Sequence, residues 1–125
     1  MSSFQVEIEY SFTKDASPAA FEAEIRENTK VIYIETPSNP LLTITDVSAV
    51  AQLAKKKGLV SMIDNTFASP VNQNPIDLGI DIVIHSATKY MGGHSDILAG
   101  VVISSEDKIN TNTWNLYNGI FYICL

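Results

Sequence analysis

The sequence has almost no cysteine: Cys124 is the only one, so it allows no disulfide within the chain and no cysteine-built zinc site. Arginine also occurs once, as Arg26, and 8 basic side chains face 14 acidic ones, a formal charge of −6. Lys55, Lys56 and Lys57 form the one basic cluster, which a solvated helix end explains, and no basic stripe could neutralise a row of phosphates. A nucleic-acid partner is therefore not expected. No apolar run approaches the ~18 residues of a membrane-spanning helix, so no membrane partner is expected either. The opening Met1-Ser2-Ser3-Phe4-Gln5-Val6 has neither the basic nor the apolar region of a secretory signal, and the expected setting is cytoplasmic. Histidine occurs twice, and the spacing of His85 and His94 fits no helical metal pair, so no metal site is expected. The glycine-rich dinucleotide turn, the Walker loop and the Gly-x-Ser-x-Gly elbow are all missing.

What remains is an ordinary globular composition, 46% hydrophobic and 18% charged over 125 residues, enough for one domain. Short β-branched runs alternate with helical stretches. Val31-Ile32-Tyr33-Ile34, Leu59-Val60-Ser61-Met62-Ile63 and Ile82-Val83-Ile84 are expected as strands of a parallel sheet, apolar on both faces because helices cover them. Between the first two, Val47, Val50, Ala51 and Ala54 repeat at helical spacing. Thr45 or Asp46 can cap that helix, the three lysines suit the negative end of its dipole, and Gly58 can end it. Ser17-Pro18 opens an earlier helix that buries Phe21 and Ile25, Phe4–Tyr10 is expected as a strand, and Leu98–Ile103 as another. The fold class is α/β, a mostly parallel sheet with flanking helices.

Such sheets hold ligands at the carboxyl ends of their strands. Three polar loops leave those ends: Glu35-Thr36-Pro37-Ser38-Asn39-Pro40, Asp64-Asn65-Thr66-Phe67 and His85-Ser86-Ala87-Thr88-Lys89-Tyr90. Taken alone, Lys89 is an exposed lysine; desolvated in a crevice, it becomes a nucleophilic amine. Asp64 can cap the turn that follows it, or hold a proton on a heterocyclic nitrogen. Ser86 and Thr88 can donate hydrogen bonds to a phosphate, or serve as ordinary loop hydroxyls. Asn39, between two prolines, can offer its amide to a ligand oxygen or simply make a turn.

Taken together, Asp81-Ile82-Val83-Ile84-His85-Ser86-Ala87-Thr88-Lys89-Tyr90-Met91-Gly92-Gly93-His94-Ser95-Asp96 resembles the segment that attaches pyridoxal 5′-phosphate (PLP) in the Cys/Met-metabolism PLP enzymes, which include cystathionine γ-lyase, γ-synthase, β-lyase and methionine γ-lyase. The Glu35–Pro40 and Asp64–Phe67 loops resemble two further blocks of that family, in the same order. The resemblance implies a partial large domain of the fold type I, aspartate-aminotransferase-like architecture. By it, Lys89 would carry PLP as a Schiff base and shuttle protons, and Asp64 would pair with the pyridinium nitrogen. Ser86 and Thr88 would bind the phosphate, Asn39 would lie near the ring hydroxyl, Thr66 would touch the ring, and Glu35 would support this set from behind. The implied reaction is β- or γ-elimination or γ-replacement on a sulfur amino acid or homoserine ester, in a homotetramer whose subunits share sites.

The resemblance covers residues 1–109 as part of the PLP-binding domain and leaves residues 110–125 as a divergent or truncated tail. The family's ring-stacking tyrosine, its glycine-rich phosphate turn, the tyrosine–arginine pair lent between subunits and the small domain with its carboxylate-binding arginine have no counterpart here. The 125 residues are thus expected to be a fragment, inactive by itself. A second reading is a remnant that binds PLP weakly or associates with a full-length subunit; a third, a bare α/β interaction module, requires the three loops to coincide by chance.

Overall fold

The computed structural model describes residues 8–111 and 120–124, with side chains described up to Lys108. Helix α1 (Pro18–Glu24) begins where Ser17 accepts a hydrogen bond from the Ala20 amide and proline fills the first turn. Strand β1 (Val31–Glu35) leads to helix α2 (Val47–Lys57), then strand β2 (Val60–Asp64). A short helix α3 (Ser69–Asn72) precedes strand β3 (Ile82–Ser86), strand β4 (Gly100–Ser104), helix α4 (Glu106–Thr111) and strand β5 (Ile120–Cys124). The five strands lie side by side in chain order. β1, β2 and β3 run parallel, β4 runs antiparallel to β3, and β5 is parallel to β4.

Of the two residues that could cap α2, Asp46 does so, its carboxylate accepting from the Ala49 amide at 2.9 Å. Gly58 ends the helix in the left-handed region at φ 69°, where a side chain would meet no neighbour and only the backbone conformation calls for glycine. The predicted stripe of Val47, Val50, Ala51 and Ala54 is buried, together with Leu53. It packs on Ile32 and Ile34 of β1, Ile63 of β2 and Val83 of β3, and Phe21 and Ile25 lean on the same cluster. This is one layer of helix on one face of the sheet.

The expectation that all three strands are covered on both faces does not hold for β1. Val31 is 44% and Tyr33 53% exposed, while Ile32 and Ile34 are buried. Among the described residues β1 lies at the edge of the sheet, and α2 packs on the face that carries Ile32 and Ile34. The expected strand at Phe4–Tyr10 is not found over residues 8–10, which have no regular structure, and its remainder lies outside the described residues. The expected Leu98–Ile103 strand begins later, at Gly100, because the register fixes Gly100 opposite Ser86 and leaves Leu98 out in solvent.

At the amino end of β3, Asp81 ties three strands and a helix together. Its carboxylate accepts from the Ser61 amide and hydroxyl, both at 2.9 Å, and from Lys108 Nζ at 2.6 Å; Ser104 Oγ donates to its carbonyl at 2.7 Å. Burial pushes this carboxyl up, but the Lys108 ammonium and the Ser61 donors outweigh burial and hold it below its ordinary value near 3.8. A group whose pKa is depressed on folding stabilises the fold above its unfolded pKa and stops doing so as pH falls through its folded one. Asp81→Asn should therefore lower stability at pH 7 by about 2 kcal/mol, as for lost hydrogen bonds to a charged group, and urea titrations should show that difference shrinking below pH ~4.

Candidate functional site

The parallel pairing brings the three polar loops to one edge. Glu35 lies in register with Asp64, and Asp64 with Ile84, so the chain leaves β1, β2 and β3 side by side. Since neighbours in register share a face and faces alternate along a strand, Asp64 and Ser86 project from the same face as Glu35 and Tyr33, opposite α2. His85, one residue before Ser86, points to the α2 side and is 3% exposed; His94 stands exposed in its loop.

Asp64 is half-buried. Its Oδ1 accepts from the Thr66 amide at 2.9 Å, the turn contact that strand-end aspartates commonly make. Thr66 Oγ1 in turn accepts from the Ser86 amide at 2.7 Å, joining the exits of β2 and β3. Phe67 and Tyr90 meet edge to face at 6.5 Å and join the same two loops farther out. The field of Asp64 reaches both faces of the sheet. Tyr33 is pushed up, first by burial and then by Asp64 and Glu35. His85 is pulled down by burial, and Asp64 opposes that shift.

Lys89 sits on an exposed turn: its amide donates to Ser86 O at 3.0 Å, and its carbonyl accepts from Gly93 N at 2.9 Å. Thr88 closes the neck of this loop. Its amide and hydroxyl donate to Ala99 O, each at 3.2 Å, and its Oγ1 accepts from the Ala99 amide at 3.0 Å. Gly92 lies so close beneath Ile97 and Ala87 O that an added Cβ would fall 2.7 Å from Ile97 Cδ1 and 3.0 Å from that oxygen. Among the described residues the Ser86 hydroxyl has no hydrogen-bond partner, and Asn39, exposed, bonds to none of the other candidates. Asp64, Thr66 and Ser86 are thus linked by hydrogen bonds, Thr88 and Lys89 lie on the loop that Ser86 begins, and Asn39 lies on the adjoining loop.

Sequence reasoning overlooked two residues, Asn65 and Gln73. Asn65 is fully buried between Asp64 and Thr66, and its side-chain amide is paired in both directions with Gln73. A polar residue directly after a strand-end aspartate is a faint signal; nothing in Val71-Asn72-Gln73 marks Gln73 as its partner.

A profile of the Cys/Met metabolism PLP-dependent enzymes matches residues 2–120. The chain is 48% identical over 111 residues to cystathionine beta-lyase MetC of Bacillus subtilis, covering 89% of this chain and 28% of that protein. Cystathionine gamma-lyase of the same organism is 52% identical over 102 residues, 82% of this chain and 27% of that one. Cystathionine gamma-synthase of Haemophilus influenzae is 47% identical over 108 residues, 86% of this chain and 29% of that one. Among solved structures, cystathionine gamma-lyase from Lactobacillus plantarum complexed with L-serine superposes with a TM-score of 0.71 at 56% identity, over 74% of this chain and 24% of its own. The chain therefore spans less than a third of the length of these relatives. Among the described residues, no helix is long and apolar enough to cross a membrane. The chain belongs to the Cys/Met metabolism PLP-dependent enzyme family.

Proposed function

We propose that these residues are the PLP-holding part of an enzyme that breaks or exchanges the β- or γ-substituent of sulfur amino acids and homoserine esters. The observation that carries this reading is the gathering of Asp64, Ser86 and the Lys89 turn at one carboxyl edge of a parallel sheet. The donor set suits the cofactor: a half-buried carboxylate for a protonated ring nitrogen, a primary amine for the aldehyde, and hydroxyls for the phosphate. The names of the relatives and the L-serine in one of them support an amino-acid substrate.

PLP, when bound, supplies an electron sink for negative charge at the substrate α-carbon. In this reading Asp64 keeps the proton on the ring nitrogen. Its Oδ1 is already directed by the Thr66 amide, so the carboxylate needs little reorganisation. Lys89 Nζ would hold the cofactor by its aldehyde and, once displaced by the substrate amine, would be the free base that takes the α-proton and returns a proton later. Ser86 Oγ would bind the phosphate, and Thr88 Oγ1 would join it by turning its proton from Ala99 O while still accepting from the Ala99 amide. Asn39 would lie near the ring hydroxyl, Thr66 would touch the ring, and Glu35, in register with Asp64, would support this set.

The domain assignment, residues 1–109 as a partial PLP-binding large domain and 110–125 as a divergent or truncated tail, belongs to the same proposal, as do a cytoplasmic setting and a homotetrameric full-length parent. The exposed Leu41, Ile44, Val71 and Leu98, all on segments at the carboxyl edge, support a parent in which further protein covers that edge. The test is to mix the chain with PLP, reduce with borohydride and map the adduct by peptide mass. An adduct confined to Lys89 is expected. Labelling scattered over Lys55, Lys56, Lys57 and Lys108 would show that the chain alone has no organised site.

A further inference from the structure

We propose that Asn65 and Gln73 form a positioning pair that holds the Asp64 carboxylate where the site needs it. The purpose assigned to Asp64 rests on the PLP reading above, but the bracing of its carboxylate is a property of this chain by itself.

A strand that has just left its sheet is where backbone freedom begins, and Asp64 is the last residue of β2. Its successor is held from three sides. The Asn65 amide donates to Ile84 O at 2.8 Å, extending the bonding to β3 one residue beyond the strand. Asn65 Nδ2 donates to Gln73 O at 3.0 Å, and Asn65 Oδ1 accepts from Gln73 Nε2 at 2.7 Å. Asn65 O accepts from the Ser69 amide at 2.9 Å, and the Gln73 amide donates to Ser69 O at 3.2 Å. Gln73 also reaches toward β1, its Nε2 lying 3.4 Å from Thr36 O, while Thr36 Oγ1 accepts from the Thr45 amide at 3.0 Å. Residues 65–73 are thereby closed into a loop whose two ends are tied to each other and to the exits of β1 and β3.

Asp64 and Thr66 flank the locked residue directly. Asp64 Oδ1 is aimed by the Thr66 amide, and Thr66 Oγ1 holds the Ser86 amide. Rotation of the backbone at residue 65 would break both contacts at once. Asn65 has 0% exposure, so no water can replace a lost partner without a local opening. This gives the amide pair a role beyond loop closure: it fixes the direction of the neighbouring carboxylate.

His85 can report this: it is buried on the neighbouring strand one residue past Ile84, the register partner of Asp64, and the Asp64 charge opposes the fall that burial imposes on its pKa; the exposed His94 is the only other histidine. The experiment follows both imidazoles by proton NMR against pH in the cofactor-free chain, and measures PLP affinity in parallel. Asp64→Asn calibrates the probe by lowering the His85 pKa further. Gln73→Met removes both side-chain donor contacts and is expected to move His85 in that same direction by part of the calibrated shift, with His94 unchanged and PLP affinity about tenfold weaker. Ser61→Ala, which loosens the sheet at its far end through Asp81, should lower the melting temperature without moving His85. Should Gln73→Met not fold, Gln73→Asn keeps the amide but shortens its reach by one methylene. A His85 titration that stays at wild type in the folded Gln73 variant overturns the proposal, as does an equal shift in Ser61→Ala. If the wild-type chain takes up no PLP, the reading of its function for this chain fails, and the His85 titration still decides the positioning role.

Discussion

Asp64→Asn should weaken PLP binding about a hundredfold, the cost of removing one partner from a desolvated charged pair. The substitution is nearly isosteric. Asparagine Oδ1 can still accept from the Thr66 amide, so the turn that follows β2 and its link to the Ser86 amide need not change. What disappears is the negative charge that would keep the ring nitrogen protonated. Thermal unfolding of the cofactor-free variant is accordingly expected within about 0.5 kcal/mol of wild type, as for a substitution that breaks no buried contact. Titration of the PLP absorbance against chain concentration measures the loss. Wild-type affinity in this variant would mean that Asp64 only serves the turn.

The second large effect lies directly beneath the site. Ile63→Ala should reduce stability by about 3 kcal/mol, within the range for truncating a fully buried isoleucine. Ile63 has 0% exposure and packs with Ile34 of β1, Val83 of β3 and the α2 stripe, so the void would open at the centre of the helix-on-sheet layer. For a small domain with a urea dependence of about 1–1.5 kcal/mol per molar, the midpoint should fall by roughly 2–3 M. Val31→Ala, on the open face of the edge strand, is the natural comparison and should shift it little. Similar shifts for the two variants would mean that the α2 side of the sheet is not the core.

The sequence made local structure legible wherever one residue type has one strong local use. Asp46 caps α2 and Gly58 ends it for reasons that lie within a turn of each residue. The three strand exits and their polar loops were readable because a short β-branched run followed at once by hydroxyls and carboxylates can hardly be anything else. The burial of β1 was not readable in the same way. Val31, Ile32, Tyr33 and Ile34 are all apolar, and apolarity alone does not say which face another element covers. Two clusters were hidden because their members are distant in sequence: Asp81 meets Ser61 and Lys108, and Gln73 reaches Thr36. Thr88 carried too little information to show its backbone bonding to Ala99, since a hydroxyl beside a lysine suits a phosphate equally well. The family match extends to residue 120, past the point where the motifs in the sequence gave out.

The reversal of direction between β3 and β4 has a mechanical consequence for the Lys89 turn. Because β4 returns antiparallel with Gly100 opposite Ser86, the segment that bears Lys89 leaves and re-enters the sheet at the same edge, and Thr88 and Ala99 fasten its two stems together. Its apex at His94, Ser95 and Asp96 is exposed and lies beyond the Gly92–Ile97 contact. Lengthening a loop whose stems are already fastened costs only about 0.6 kcal/mol per doubling. A change of length at that apex is therefore expected to cost little stability while the stems stay fastened. The sheet thus anchors the turn on which Lys89 sits from both ends, independently of the residues at the apex.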